Sequence, residues 1–233
     1  MRTAEQIKVL KDTQSNPKQH RNILAVDDIN ALLEYYNTSD NIVKKNTGPK
    51  VLYVKEGEGV IDNILDKLRQ TYGDFKVRSA HYFDVTKPHI IHNDDDFDYP
   101  QCYKAFVIPL YVEGASCNNA KFFVFDQTYY GGPAKFLKDE DVTDRPVYYN
   151  TFLTDYQDIE DKSVSTMEDI HLQYLTHLKP KWLEGLSVNS YFPWHIGSII
   201  QFDSLRLHCS SNFNAAGITR KIGFSIFTNI RDT

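Results

Sequence analysis

The chain has 233 residues and a mass of 27.0 kDa, which is enough to bury a sizeable core, and we expect one domain over 1–233. Its net charge of -5 comes without a long run of Lys or Arg, which disfavours nucleic acid as the partner. Cys102, Cys117 and Cys209 show no paired spacing, so we expect a reducing, cytoplasmic location and no disulfide framework. The polar N-terminus and the lack of a long apolar run predict neither export nor a membrane span.

The first 74 residues predict helices that support the rest of the chain. Residues 1–22 are polar, and we expect a loose lead-in there. The run 27–36 opens with two carboxylates and carries apolar residues at i, i+3, i+4 and i+7, which predicts a capped amphipathic helix. A short strand is predicted at 51–54 and a second helix at 57–72, stopped by a glycine. Neither helix carries a candidate catalytic or metal-binding residue, so we expect both to cover one face of a sheet.

From Phe75 onward the hydrophobic period changes from 3.6 to 2. Candidate strands are 76–85, 103–112, 121–125, 186–191, 198–202, 205–208 and 220–229. Pro109 interrupts the second of them, which indicates an edge position or a bulge. Many short strands after helices favour a mainly β fold with flanking helices, namely an antiparallel, cupin-like jelly roll (a double-stranded β-helix) over 75–229.

A long polar insertion is predicted at about 135–181. It holds acidic stretches at 139–144 and 155–161, and a helix is predicted to begin near Ser165 and run to Leu178. Insertions of this length in a compact β domain are more often an active-site lid or a binding loop than filler. The acidic stretches themselves are most simply a solvated face.

A His-x-Asp pair and a distant histidine offer the ligands of a metal site. His92 and Asp94 lie two residues apart, so that in an extended segment both side chains point to the same side. His208 follows an apolar strand and would have to come from a neighbouring strand. Two imidazoles and one carboxylate form the set that holds Fe(II) and leaves coordination positions open. The alternative is a solvated loop in which His92 only hydrogen-bonds a neighbour.

Arg220 is the charged member of an apolar row that alternates along the last strand as far as Ile226. The row predicts that this face points into the barrel, where a guanidinium needs an anion. If strands 198–208 and 220–229 are antiparallel neighbours, Arg220 returns to the same end of the barrel as His208. Its planar fork would then be placed to bind a ligand carboxylate.

These motifs resemble the non-haem Fe(II)- and 2-oxoglutarate-dependent oxygenases, whose fold is a jelly roll, over roughly residues 78–229. His92 and Asp94 match the proximal metal ligands of that family, and His208 matches the distal ligand. The approach at 197–203 is similar to that of phytanoyl-CoA dioxygenase-like and prolyl-hydroxylase-like members. The segment after His208 departs from the phytanoyl-type signature by one residue, so that the subfamily and the substrate stay open.

The resemblance also implies a co-substrate site. Arg220 matches the basic residue that binds the distal carboxylate of 2-oxoglutarate, and Tyr82 resembles a tyrosine that assists co-substrate binding in some members. Lys104 ends an apolar row and is either a second carboxylate contact or a strand-end lysine with a buried stem. The implied chemistry uses Fe(II), 2-oxoglutarate and O2 and releases succinate and CO2. Because Asp94 is present, hydroxylation of a small molecule or a peptide side chain is favoured over halogenation.

Two other readings stay open at this point. One is a cupin-type metalloenzyme that uses no 2-oxoglutarate, and the other is a non-catalytic jelly-roll module that binds a partner. We expect structural roles for His81 and His89, and we expect Cys209 to face away from the metal because it directly follows His208. Residues 127–130 are predicted at the barrel mouth, where they either touch substrate or pack. The sequence does not give the oligomeric state.

Overall fold

The computed structural model describes residues 2–44, 49–95, 102–136, 151–153, 163 and 167–229. The predicted acidic stretches 139–144 and 155–161 lie outside the described residues. The helices are α1 (Ala4–Asp12), α2 (Val26–Thr38), α3 (Asp62–Tyr72), α4 (Asp169–Leu172) and α5 (Pro180–Leu183), with a 3-10 turn at Cys117–Asn119. Gly73 ends α3 with a φ of +83°, which confirms the predicted glycine stop.

The strands build two facing sheets. They are β1 (Lys18–His20), β2 (Val43–Lys44), β3 (Lys50–Val54), β4 (Lys76–Val85), β5 (Cys102–Gly114), β6 (Lys121–Thr128), β7 (Ala134–Phe136), β8 (Thr151–Leu153), β9 (Val188–Pro193), β10 (Ile199–Asp203), β11 (Arg206–Ser210) and β12 (Ile218–Asn229). The larger sheet has the order β1-β10-β5-β12-β4-β3-β2, the smaller sheet has the order β11-β6-β9, and β7 pairs with β8. Along the chain β10, β11 and β12 alternate between the two sheets, which is the connectivity of a jelly roll. The predicted fold class is confirmed.

Apolar side chains form separate cores on the two faces of the larger sheet. Its outer face packs against α2 and α3 through a cluster that includes Leu32, Leu65, Phe106 and Phe224. Its inner face packs against the smaller sheet through another cluster that includes Ala105, Val107, Phe122, Val124, Phe202 and Phe227. The prediction that the N-terminal helices cover one face of a sheet is therefore confirmed. That residues 1–233 form one domain stays a prediction.

The outer face of β12 carries the apolar row that the sequence assigned to the barrel interior. Ile222, Phe224 and Ile226 belong to the cluster under the helices, whereas Phe227 belongs to the cluster between the sheets. The prediction that the row containing Arg220 points inward is wrong. Both faces of β12 are buried, one by helices and one by the second sheet, so alternation alone does not say which face is the interior.

One further prediction about the strands is corrected, and the prediction for Pro109 is confirmed in one of its two alternatives. The strands 198–208 and 220–229 are not neighbours, because β11 pairs with β6, whereas β12 lies between β4 and β5. Pro109 does not mark an edge, since β5 is flanked by β10 and β12. The predicted bulge is present, because the register of β5 against β12 shifts between Tyr111 and Pro109.

The N-terminal segment is ordered rather than a loose lead-in. Thr3 caps α1 through a capping box, in which its hydroxyl accepts from the amide of Gln6 and the Gln6 side chain accepts from the amide of Thr3. Leu10 is buried, and β1 pairs with β10. The prediction overlooked this cap and the edge strand that follows it.

The helix predicted from Ser165 to Leu178 is shorter than expected and broken. Ser165 lies outside the described residues, and the described part holds only the single turn of α4, followed later by α5. Pro180 stands at the first position of α5, where its missing amide proton costs nothing. Among the described residues, helices with the length and hydropathy needed to cross a membrane are not found.

Candidate metal centre

The backbone brings the His-x-Asp segment alongside β11. The amide of His92 donates to the carbonyl of His208 at 3.1 Å, and the amide of His208 donates back to His92 at 2.9 Å. The amide of Asp94 donates to the carbonyl of Ser204 at 2.8 Å. Asn93 is fixed by its own amide, which donates to Ala134, and by its side-chain oxygen, which accepts from the Ala134 amide at 2.8 Å. The bonds between His92 and His208 and between Asp94 and Ser204 join segments that lie 116 and 110 residues apart in the sequence.

His92, Asp94 and His208 converge on one point. Each offers a ligand atom, and these atoms lie within 4.8 Å of one another. The nearest Asp94 oxygens lie 3.2 Å from Nε2 of His208 and 3.7 Å from Nε2 of His92. The exposed fraction of the side chain is 3% for His208, 7% for His92 and 14% for Asp94. The structure therefore brings together the three residues that the sequence predicted as ligands.

Backbone carbonyls fix the tautomer of both imidazoles. Nδ1 of His92 lies 2.8 Å from the carbonyl oxygen of Ile90, and Nδ1 of His208 lies 2.9 Å from that of Arg206. Because a carbonyl oxygen only accepts, each Nδ1 carries a proton, which leaves Nε2 as the ring nitrogen that faces Asp94. This is the arrangement in which histidines bind a metal, with the second ring nitrogen held by an outer hydrogen bond.

Asp94 is held in its ionised form. Burial acts to raise the pKa of Asp94, but the charge and hydrogen bond of His208, followed by the charges of His92 and Arg78, outweigh it. The pKa of Asp94 therefore lies below its usual range. Arg78 also donates to the backbone carbonyl of Asp94 at 2.7 Å, which adds a second constraint on this residue.

Aromatic rings line the inner side of the centre. The ring of Phe202 lies 4.6 Å from that of His208, and the ring of Phe122 lies 5.4 Å from it, both measured between centroids. On the other side the ring of His89 lies 3.9 Å from that of His92. These rings exclude water from the buried side of the ligand cluster. The position of His89 agrees with the structural role predicted for it.

Arg220 does not face this centre. Its Nε and Nη2 donate to the two carboxylate oxygens of Asp84 at 2.8 and 2.9 Å. Asp84 also accepts from the hydroxyl of Tyr36 at 2.9 Å, so that the group lies in the layer between the larger sheet and α2. The anion that the guanidinium needs is Asp84, which stands opposite Ile222 on the flanking strand β4. Arg220 is therefore not available to hold a ligand inside the barrel.

Tyr82 and Lys104 are also engaged elsewhere. The ring of Tyr82 lies under the helices, 4.6 Å from Phe224 and 5.3 Å from Tyr36 between centroids. Lys104 is buried, pairs with Asp203, and donates to the hydroxyl of Ser15 at 2.9 Å. The predicted co-substrate roles of Tyr82 and Lys104 are therefore not supported by their positions. The alternative of a strand-end lysine with only its stem buried does not describe it either, because the ammonium of Lys104 is itself buried and paired.

Lys221 is the residue that sequence reasoning missed. It is 2% exposed and projects between the sheets, where its ammonium lies 4.0 Å from the ring centroid of Trp194 and 4.5 Å from that of Phe213. Among the hydrogen bonds and ion pairs of the described residues, none involves this ammonium, which is in contact with the two ring faces. The indole N–H of Trp194 lacks an acceptor among these residues. A buried ammonium without a carboxylate beside it and an indole N–H without an acceptor are both donors that an anion would satisfy.

The position of Lys221 gives it an unusual pKa. Burial lowers the pKa of Lys221 to about 7, and a weaker opposing effect comes from Cys209. Cys209 itself belongs to the apolar cluster on the far side of the smaller sheet, which confirms the prediction that it faces away from His208. A bound anion would stabilise the charged ammonium and raise this pKa.

We expect the stability of the ligand-free protein to rise with pH because of Lys221. The unfolded chain keeps the proton on this side chain up to its ordinary pKa of 10.5, whereas the folded chain releases it near 7. Between these values the unfolded state binds more protons, so raising the pH favours the folded state by up to about 1.4 kcal/mol per pH unit. Urea unfolding of the wild type and of Lys221→Met across this window measures the effect. Parallel stability curves for the two proteins would contradict it.

Residues 127–130, predicted at the barrel mouth, are packed. Gln127 is buried and donates to the hydroxyl of Ser187 at 3.1 Å. Thr128 and Tyr130 both receive hydrogen bonds from the side chain of Gln14, at 3.2 and 2.7 Å. Of the two roles left open by the sequence, packing is the one that these contacts support.

The fold is shared with solved oxygenases. No protein-family model and no curated protein sequence matches the chain. The epimerase SnoN from nogalamycin biosynthesis, a non-haem α-ketoglutarate-dependent enzyme, superposes with a TM-score of 0.52 at 9% identity, over 96% of this chain and 83% of that one. HygX from Streptomyces hygroscopicus, solved with nickel, 2-oxoglutarate and hygromycin B, gives a TM-score of 0.50 at 11% identity, over 98% and 88%.

A third structure gives the same result. An oxidoreductase of the 2OG-Fe(II) oxygenase family from Burkholderia pseudomallei superposes with a TM-score of 0.50 at 12% identity, over 97% of this chain and 90% of that one. At these identities the likeness concerns the arrangement of the chain and not its substrate. The protein therefore has the jelly-roll fold of the Fe(II)- and 2-oxoglutarate-dependent oxygenases.

Proposed function

We propose that the protein is an Fe(II)- and 2-oxoglutarate-dependent oxygenase. The observation that carries the proposal is the combination of a His-Asp-His cluster with the buried ammonium of Lys221, which contacts aromatic rings, inside the same jelly roll. His92, Asp94 and His208 would hold Fe(II), and Lys221 would hold the distal carboxylate of 2-oxoglutarate. Lys221 replaces Arg220 in this assignment, because Arg220 is paired with Asp84.

The residues fit both groups. Two imidazoles whose Nε2 atoms face one ionised carboxylate are a ligand set suited to Fe(II), and three ligands leave positions open for other groups. The exposed 14% of the Asp94 side chain leaves the cluster accessible from one side. At the proposed site for the distal carboxylate of 2-oxoglutarate, Lys221 offers an ammonium and Trp194 offers an indole N–H. Both groups are donors, and a carboxylate accepts from donors.

Some side chains would bind the co-substrate, and others would keep water away from the metal centre. Lys221 would orient the co-substrate by its distal end, so that its other end reaches the open side of the metal. Phe122 and Phe202 would keep water from the inner side of the centre, and Arg78 would hold the backbone of Asp94. When bound, Fe(II) and 2-oxoglutarate would supply oxidation of an unactivated C–H bond by O2, with release of succinate and CO2.

The substrate is proposed only as a class. The resemblance covers enzymes that hydroxylate small molecules and enzymes that act on peptide side chains. Two structures that share the fold were solved with small molecules bound. SnoN is in complex with nogalamycin RO, and HygX is in complex with hygromycin B. We therefore propose a small molecule first and a peptide side chain second, with hydroxylation as the reaction.

The proposal is tested by 2-oxoglutarate turnover. We expect the wild type, supplied with Fe(II), O2 and 2-oxoglutarate, to form succinate slowly without a second substrate and faster with an accepted one. A screen of small molecules and peptides for this acceleration would identify the substrate class. Metal binding with no effect of 2-oxoglutarate would favour a cupin-type enzyme instead. A lack of stoichiometric metal binding would favour a non-catalytic binding module.

A further inference from the structure

A buried ion pair joins the N-terminal segment (residues 2–20) to the metal-binding loop. Arg2 donates through Nη1 to Oδ2 of Asp95 at 2.5 Å and through Nη2 to the other oxygen, so the pair is bidentate. Nη1 also donates to the carbonyl of Tyr130 at 3.1 Å. The exposed fraction is 4% for the Arg2 side chain and 0% for that of Asp95. Bidentate pairs of this kind fix orientation as well as charge.

The N-terminal segment is anchored along its length, which holds Arg2 in place. Arg2 directly precedes Thr3, the capping residue of α1. The next turns of α1 bury Leu10 against Tyr130 and Leu205. Beyond α1, the amide of Ser15 donates to the carboxylate of Asp203 at 2.9 Å. Arg2 is therefore delivered to Asp95 by a folded element and not by a free chain end.

Asp95 is the residue next to Asp94, a proposed metal ligand. On the other side of Asp94, Asn93 is fixed by bonds to Ala134 and by its amide group, which donates to the carbonyl of Gly132 at 3.0 Å. Asp94 thus lies between two anchored residues. We propose that Arg2 is a positioning residue of the metal centre, acting through Asp95 to hold the Asp94 carboxylate where it meets His92 and His208. This inference rests on the proposed metal site.

Loss of Arg2 has a direct physical consequence for the centre. Without Arg2, the Asp95 carboxylate would lose its bidentate donor at a position where its side chain is 0% exposed, and the loop would lose this link to the N-terminal segment. Asp95 would then turn towards water. This movement shifts the adjacent backbone of Asp94, so we expect metal affinity to fall.

Titration with Co(II) alone tests the inference, because the visible absorption of bound Co(II) reports its coordination. We expect Arg2→Met to weaken Co(II) binding about 10–100-fold, the range usual for outer residues that orient ligands. Arg2→Lys keeps the charge but loses the planar fork, so it should restore part of the affinity. Arg21→Met, at an exposed arginine, is the matched control and should bind as the wild type does.

The double variant Arg2→Met/Asp95→Asn guards against misfolding, since it leaves no buried charge unpaired. It should fold, and it should still bind Co(II) about tenfold more weakly than the wild type. Co(II) affinity of Arg2→Met and of the double variant within twofold of the wild type, with an unchanged Co(II) spectrum, would overturn the inference. Failure of the wild type to bind Co(II) would remove the metal site and the inference together. Wild-type Co(II) binding without 2-oxoglutarate binding would remove the proposed function alone.

Discussion

Replacing Asp94 with alanine is expected to reduce Fe(II) affinity by more than about 100-fold and to stop 2-oxoglutarate turnover. Outer residues that only orient a ligand already change metal affinity about 10–100-fold, and Asp94 is the one anionic member of the cluster, so its loss should cost more. Removing the carboxylate leaves two neutral imidazoles, which cannot form the facial set. Equilibrium titration with Fe(II) without oxygen measures the affinity.

Asp66→Ala is the matched control for this substitution. Asp66 lies on α3 with 70% of its side chain exposed and only a weak contact to Arg69, 4.0 Å away. It should leave metal binding and turnover unchanged. Because His208, His92 and Arg78 stabilise the ionised carboxylate in the folded protein, Asp94→Ala should be less stable than the metal-free wild type, and urea unfolding checks that it still folds. Retained Fe(II) binding in a folded Asp94→Ala protein would contradict the assignment of this ligand.

The second large expected effect distinguishes the role of Lys221 from that of its neighbour Arg220. We expect Lys221→Met to weaken 2-oxoglutarate binding at least about 30-fold, which corresponds to about 2 kcal/mol, because a buried carboxylate would lose its charged partner. Metal affinity should not change. Arg220→Met should have the opposite profile, with normal 2-oxoglutarate binding and a loss of about 1–3 kcal/mol in stability, since buried Asp84 would lose its main donor.

Calorimetry and urea unfolding on both variants measure the two profiles. Proton uptake gives an independent check. With a pKa near 7, the Lys221 side chain is mostly the neutral amine at higher pH, so it should take up a proton when it binds an anion there. Calorimetry of the wild type in buffers of different ionisation enthalpy would detect this uptake, and Lys221→Met should lack it. Weakened 2-oxoglutarate binding in Arg220→Met rather than in Lys221→Met would return the role to Arg220.

The three residues of the proposed metal site could be predicted from the sequence because their chemistry and spacing are local. His92 and Asp94 lie two apart on one extended segment, so their side chains share a direction whatever the rest of the fold does. The third ligand, His208, needed only a neighbouring strand, and the hydrogen bonds between His92 and His208 provide it. The strand pattern after Phe75 was equally readable, because period 2 depends on the burial of alternate faces.

The residue proposed to bind the co-substrate could not be predicted in the same way. Arg220 and Lys221 are adjacent, and choosing between them requires knowing which face of β12 lies inside the barrel. Because α2 and α3 bury the other face, both faces read as apolar. One signal was present in the sequence: Asp84 falls on the same face of β4 as Tyr82 and offers Arg220 its partner. Recognising it required the register between β4 and β12.

The N-terminal contribution was missed for a different reason. The pair between Arg2 and Asp95 spans 93 residues, and no periodic pattern connects them. The capping box of Thr3 and Gln6 was a readable local signal for α1. Where α1 docks, however, is decided by the burial of Leu10 and by bonds to the loop after β6, which are tertiary contacts.

The most direct test of the account is an oxygen-free titration that measures Fe(II) and 2-oxoglutarate binding together on the wild type. The account predicts one Fe(II) per chain, and 2-oxoglutarate that binds at least about tenfold more tightly when Fe(II) is present, since a shared site couples the two affinities. It also predicts that Asp94→Ala abolishes this coupling and that Lys221→Met weakens 2-oxoglutarate binding both with and without Fe(II). An absence of stoichiometric Fe(II), or 2-oxoglutarate binding that is indifferent to the metal, would contradict it.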